Sequence, residues 1–579
     1  MPRSAPHRRS LAAFLSAAVA LAALSASAPS LAQKPHSADA KKKPKKDSTK
    51  ETHKDKDKSK GKKDKAAHAG SGATNAAAEP HKKAAKSDAP IEVKPVALNL
   101  PITKLTLDNG LRVVLNVDHT SPTVAVAVVY DVGARNEEKG RSGFAHLFEH
   151  MMFQGSKNVK KGEHFTLVTG HGGVLNGTTN SDRTNYFEML PANELALGLW
   201  LEADRMASLD VSQENFENQR KVVQEEYRMR VSNVAYAPSQ IRLEELVYQG
   251  SWPYEHDAIG TMADLDAAQL DWVKDFHAKH YGPNNAVLTI SGDFEAADAT
   301  ALVHKYFDKI PKITVTPFVD AALPEQTSQR TAVIKDEHAH SAGVLYGFPA
   351  PAMRDPGTYA LDLAARILGR GESSRLYQLA VKDKGVVQSI ESDIDARRGP
   401  SLFVVDAKLT PEAKVADVEA LIDGVMKDLA TKGPTAEELA KAQRNAQTQL
   451  VLGLQTNGAR ARMLGEYETY FGDAALLSEE PGRYLAVTAD DVKKAVADHL
   501  AATKRTVVET YPLEEAKAED AKADEPKKKK HHDDAAQDPA AKKANGDAKK
   551  KKAKVEDTTA KKKDTDKKKS KPKKKGGTP

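Results

Sequence analysis

A chain of 579 residues that is 40% hydrophobic and 29% charged holds enough apolar material for two or more domains and is not disordered overall. Its formal charge of +7 misleads: residues 91–515 carry 44 Lys+Arg against 60 Asp+Glu, a balance of −16, while 33–90 hold 17 Lys and 8 acids and 516–579 hold 23 Lys and 12 acids. An acidic body with two basic tracts that lack interleaved aromatics is not a nucleic-acid-binding domain, and the absence of cysteine excludes disulfides and cysteine-ligated metal sites.

The chain opens with Arg3, Arg8 and Arg9, an apolar run from Leu11 to Leu24, and small residues ending Ser30-Leu31-Ala32. That three-part pattern predicts a cleaved secretory signal over 1–32, since the run is too short for an ordinary membrane span. The mature protein is therefore expected in the periplasm or outside the cell. The tracts 33–90 and 516–579, Lys-rich with Ala, Pro, Ser and Gly between, cannot bury a core and are expected to be disordered.

Between them, alternating strand and helix patterns begin with Lys104–Asp118, two β-rich runs around Asp108-Asn109-Gly110 that read as a hairpin. Thr123–Gly133 reads as a buried strand. A helix then opens near Ser142 and runs through FAHLFEHMMF, Phe144–Phe153. His146 and His150 stand four residues apart, so they project from one helix face about one turn apart and can reach the same ion. Glu149 sits beside them, placed to take a proton from water at that ion. The order is HxxEH, the reverse of HExxH. The same spacing also suits two surface histidines on a partly buried helix.

A catalytic zinc takes three protein ligands and keeps one position open. The third candidate is Glu226, in the helical segment Glu214–Arg230. Phe216, Val222 and Val223 are read there as the buried side, and at about 100° per residue Glu226 falls with the valines while Glu225 points away. An inward carboxylate needs a partner, which is either a metal or an arginine.

These segments, in order, resemble the pitrilysin/insulinase group of inverted-motif zinc peptidases, which includes the mitochondrial processing peptidase. The resemblance covers roughly 98–512 and rests on LTLDNGLRVVL, GARNEEKGRSGFAHLFEHMMFQGS, GGVLNGTTNSDRTNYFEMLP, ENFENQRKVVQEEYRMR and YGPNNAVLTISGDF. It implies one Zn²⁺ per chain held by His146, His150 and Glu226, with Glu149 activating water, and a peptide substrate. It also implies an α+β fold of two homologous halves, each a mainly antiparallel sheet covered by helices: a catalytic half over 91–315 and a non-catalytic copy over 316–515. The helical segment Gly433–Leu450 occupies a place in the second half comparable to Val211–Arg230. Asn176 and Gly177 match the family's substrate-contacting edge strand, although Asn, Gly and Thr are equally the residues of turns.

One departure bears on activity. Active single-chain members carry an arginine and a tyrosine seven residues apart in the second half, which bind substrate and stabilise the oxyanion. The matching positions here are Val381 and Gln388, and the nearby Arg375 and Tyr377 have the wrong spacing. The expectation is a homologous partner subunit that supplies the pair, this chain being the zinc subunit of a heterodimer. The alternatives are a non-enzymatic scaffold subunit, which the intact HxxEH and Glu226 disfavour, and contact of the Lys-rich tracts with anionic surfaces.

Overall fold

The computed structural model describes residues 92–513. The expected signal sequence and both Lys-rich tracts lie outside those residues.

The first half contains strands β1 (Thr103–Thr106), β2 (Arg112–Val117) and β3 (Thr123–Tyr130), then helices α1 (Phe144–Met151) and α2 (Glu163–Gly170). Strands β4 (Val174–Thr179) and β5 (Thr184–Pro191) follow, with helices α3 (Leu195–Ser208), α4 (Gln213–Tyr227) and α5 (Ala237–Val247) and the strand β6 (Ala286–Gly292). They form one six-stranded sheet in the order β1-β2-β6-β3-β5-β4. β1 and β2 are the antiparallel pair expected around Asn109-Gly110, and only β2 with β6 runs parallel.

Strand β3 shows why the sheet is covered on both faces. Its sequence TVAVAVVY alternates: Val124, Val126, Val128 and Tyr130 enter the main core of the first half, while Ala125 and Ala127 face the other way, against Ala461. Successive side chains of a strand point to opposite faces, so the valine face meets one helical layer and the alanine face lets another helix approach closely. A larger residue at Ala461 is expected to wedge that helix off the sheet, at a cost of about 1–3 kcal/mol.

The second half repeats the plan with β7 (Arg330–Asp336), β8 (Gly343–Ala350), helix α6 (Pro356–Leu368), β9 (Val387–Asp395) and β10 (Ser401–Leu409). Helices α7 (Ala436–Gly453) and α8 (Asn457–Phe471) and strand β11 (Thr506–Pro512) complete it. The sheet order β7-β11-β8-β10-β9 matches β2-β6-β3-β5-β4 strand for strand, down to the single parallel pair, β7 with β11. This is the two-sheet, helix-covered α+β architecture expected of the resemblance. The two halves also exchange a helix. α5, from the first, packs Leu243, Leu246 and Val247 on Leu345, Leu402 and Val508 of the second sheet, and α8, from the second, carries Ala461 onto β3. Each sheet thus buries one face against a helix from the other half. The sheets' matching edge strands, β4 and β9, both border a cavity of about 550 Å³ between the halves. Among the described residues no helix is long and apolar enough to cross a membrane.

Candidate metal centre

Helix α1 begins at Gly143, whose φ of +86° is left-handed, and an added Cβ there would lie 2.7 Å from the Ile259 carbonyl oxygen. Only glycine fits that entry. The first free N–H groups of the helix are not capped by Ser142, which instead bonds Asp264 through Oγ at 2.5 Å. Glu137 takes that role: its carboxylate accepts from Gly143 N at 2.9 Å and Ala145 N at 2.7 Å. Glu137 also lies 3.0 Å from His256 Nε2, so an anion is held at the positive end of the helix dipole.

From this anchored start, α1 turns His146 and His150 inward with ring centroids 4.9 Å apart at 82°. Helix α4 brings Glu226 against them, its Oε2 3.2 Å from His150 Nε2 and its Oε1 3.8 Å from His146 Nε2. The buried side of α4 differs from the sequence reading in one respect. Phe216, Gln219, Val223 and Glu226 are buried, but Val222 is 39% exposed. Positions 216, 219, 223 and 226 follow the three- and four-residue steps of one helix stripe, from which Val222 is rotated by about 100°. Glu225 pairs with Arg228 at the surface.

The donor set suits a zinc ion. His146, His150 and Glu226 each offer a ligand atom within 4.8 Å of the others, and a tetrahedral ion with bonds of about 2.0–2.1 Å sets its ligands roughly 3.4 Å apart. The 3.2 and 3.8 Å separations of Glu226 from the two imidazoles bracket that value. His146 Nδ1 is buried with no hydrogen-bond partner. Burial, with the neighbouring His150, depresses His146 to about 3, so the ring is neutral and has a lone pair to give. Burial works to raise Glu226, but His150, His146 and Arg230 outweigh it and hold the carboxylate at about 2. Burial likewise opposes protonation of His150, yet the contact with Glu226 raises its pKa; a cation in the pocket competes with that proton.

Glu149 is 2% exposed and borders the cavity with His146 and Gly177. Its Oε2 accepts from Thr179 Oγ1 at 2.5 Å. Burial pushes its pKa up, against the opposing pull of His150 and Thr179. Gly177 on β4 makes room for it: an added Cβ there would lie 3.0 Å from Glu149 Cγ. Asn176 is half-buried on the same strand and accepts from Gly177 N at 2.9 Å. Of the two, only Gly177 lines the cavity.

The chain matches the insulinase (peptidase family M16) model over residues 112–255 and the peptidase M16 inactive domain over 267–446. It is 30% identical over 409 residues to the zinc protease PqqE of Helicobacter pylori, covering 70% of this chain and 91% of that relative. The chain belongs to the M16 peptidase family. An uncharacterized zinc protease of Streptomyces coelicolor is 25% identical over 407 residues, covering 69% of this M16 chain and 87% of that protein. Among solved structures, a protease from Helicobacter pylori superposes with a TM-score of 0.68 at 29% identity, over 71% of this chain and all of that one.

Sequence reading missed several residues of this M16 site. Gln219 is buried on the α4 stripe and acts to raise the pKa of His150; it lies seven residues before Glu226, two turns back on one face, and that period was a usable signal. Arg230, four residues after Glu226, reaches its Oε1 at 2.8 Å. Thr179 had no local signal, because it acts on a helix distant in sequence; Glu137 lies just before the helix it caps but outside the usual cap position. In the second half, Val381 packs against the core, and Gln388 Nε2 donates to the Leu409 carbonyl at 2.7 Å. Neither lines the cavity. Arg375 is committed to Glu438 and Asp428, and Tyr377 lies under Lys382. Arg370, Arg397 and Tyr470 do line the cavity, but Arg370 is paired with Asp362 and Asp393 and Arg397 with Glu244 and Asp395.

Proposed function

We propose that this M16 chain is a zinc-dependent endopeptidase acting on peptides or unfolded segments that enter the cavity between the halves. The observation that carries the reading is the convergence of His146, His150 and Glu226 within 4.8 Å, with Glu149 beside them at the cavity wall. Zinc, when held by those three residues, supplies Lewis acidity toward a peptide carbonyl and toward water. Glu149 takes the proton from water and returns it to the leaving amine, and a carboxyl raised by burial suits both transfers. Thr179 fixes the carboxylate by holding one oxygen. The free edge of β4 binds an extended peptide through main-chain hydrogen bonds, and Gly177 keeps that backbone close to Glu149.

The same reading makes the chain the zinc subunit of a heterodimer, because Val381 and Gln388 offer no cation or phenol where relatives carry an Arg/Tyr pair. It also places the protein in the periplasm or outside the cell, on the strength of residues 1–32, with the Lys-rich tracts free to touch anionic surfaces. The competing reading, a scaffold subunit, draws on the match of 267–446 to an inactive domain; the four intact residues of the first half weigh against it.

The test is Glu149→Gln in the full chain. It is expected to keep zinc and lose peptide hydrolysis, and undiminished hydrolysis overturns the role. Co-purification from the native host, followed by a peptide assay of the chain alone and with the captured protein, tests the heterodimer: full activity from the lone chain refutes it.

A further inference from the structure

A second set of potential ligands lies apart from the cavity. His164 on α2, Glu188 on β5 and Glu202 on α3 each present a ligand atom, and these lie within 4.8 Å of one another. Glu188 and Glu202 are fully buried and His164 is 4% exposed. Both oxygens of Glu188 and Nε2 of His164 lack a hydrogen-bond partner. Buried polar atoms in folded proteins are nearly always paired, so three unpaired atoms from two elements, β5 and α2, converging on the Glu202 carboxylate of a third, point to something that binds among them.

The surroundings resemble those of the first centre. There, Glu226 is held by Arg230 on its own helix. Here, Glu202 accepts from Arg205 on its own helix, through Nε at 3.0 Å and through Nη2. Arg205 lies over the rings of Phe153 and Tyr186 and cannot swing away. A carboxylate has about four lone-pair directions, so an arginine can orient it and keep it ionised while other lone pairs remain for a metal. Burial and the charge of Arg205 hold His164 neutral, as a ligand imidazole must be. One histidine and two carboxylates are an ordinary donor set for zinc or manganese.

We propose that His164, Glu188 and Glu202 form a second, buried divalent-cation site, structural rather than catalytic, that pins α2 and α3 to β5. It does not rest on the peptidase reading. No residue of the first centre takes part, and the site does not line the cavity. The rival arrangement is a proton shared between Glu188 and Glu202, which relieves their repulsion and leaves His164 Nε2 and one Glu188 oxygen without partners.

Glu188→Gln separates the two. It preserves size and imitates the protonated carboxyl, so a shared proton makes it almost silent, whereas a metal site loses a charged ligand. The full chain is loaded with Zn²⁺ or Mn²⁺, desalted, and its metal content measured by mass spectrometry. About two ions per chain are expected in the wild type, about one in Glu188→Gln, and about one in Glu226→Ala, which keeps only the second site. Thermal unfolding of Glu226→Ala with and without chelator provides the second readout. Chelator is expected to lower its midpoint, and to have no effect on Glu226→Ala/Glu188→Gln. A wild type with one ion, a Glu188→Gln chain that still holds two, or a Glu226→Ala chain indifferent to chelator overturns the proposal.

Discussion

The two halves share a strand order yet fill equivalent places with opposite chemistry. In the first, α1 packs on the edge strand β4 and against α4, bringing two histidines four residues apart on one helix to a glutamate on the other. In the second, α6 packs on the edge strand β9 and against α7, and there too a pair four residues apart meets a residue of the neighbouring helix. The pair is Asp362 and Arg366, joined at 3.0 Å, and Arg366 Nη1 donates to Gln449 Oε1 at 2.7 Å. The second cluster carries its own cation. In the first, Arg230 meets Glu226 from one side, yet the two histidines and the carboxylate still present three donors within 4.8 Å of one another, so an exogenous cation has a place there. One scaffold therefore supports either a metal site or a self-neutralised ion pair, according to which side chains stand at the helix contact.

That contrast can be broken at several points. The largest effect is expected from Glu149→Gln, which removes a general base and lowers kcat/KM by about 10²–10⁴-fold at unchanged zinc content. Asp362→Ala in the second half comes next: it strands Arg366 against a hydrophobic core, and breaking a buried pair costs about 3–5 kcal/mol. Its urea midpoint should fall while zinc stoichiometry holds; loss of zinc instead means that the halves are coupled more tightly than the packing suggests. Gln219→Leu removes the buried amide that acts on His150, and loss of such an outer partner weakens metal affinity by about 10–100-fold, as competition with a chelator would measure.

The smallest effect concerns Arg375 and Glu438. Burial tends to raise Glu438, but Arg375 and the Thr435 cap prevail and hold it below its ordinary 4.5. A carboxylate depressed in the fold stabilises above its unfolded pKa and loses that contribution as pH falls through the folded value. Arg375→Gln should thus lower stability at pH 7 by under about 1 kcal/mol, because the pair is partly exposed, and match the wild type once both are fully protonated. Catalysis should not change. A large activity loss would give Arg375 a substrate role that its two ion pairs do not suggest.

The parts of the fold legible from sequence were those whose signal is local. The Asn109-Gly110 turn, the apolar run of β3, and β6 at Ala286–Gly292 each depend on residues within a few positions. Val222 shows the limit: counting valines along one helix put both Val222 and Val223 inside, and only Val223 is buried, because burial depends on which face the neighbouring helix covers. Ser142 shows it again. A serine before an apolar run reads as a cap, but Glu137 reaches the helix start first, held beside it by the loop that also carries His256.

By itself the sequence determined the HxxEH helix, since a four-residue step always puts two side chains on one face; the two-half plan was what the family resemblance implied. Tertiary structure alone decided the rest. It brought Glu226 within 4 Å of histidines about 80 residues away, set Thr179 against Glu149, traded α5 for α8 between the sheets, and buried His164 with Glu188 and Glu202. The physical reason is common to all four. Each depends on which surfaces pack together across long stretches of chain, and one-dimensional periodicity carries a helix's inward face but not what that face will meet.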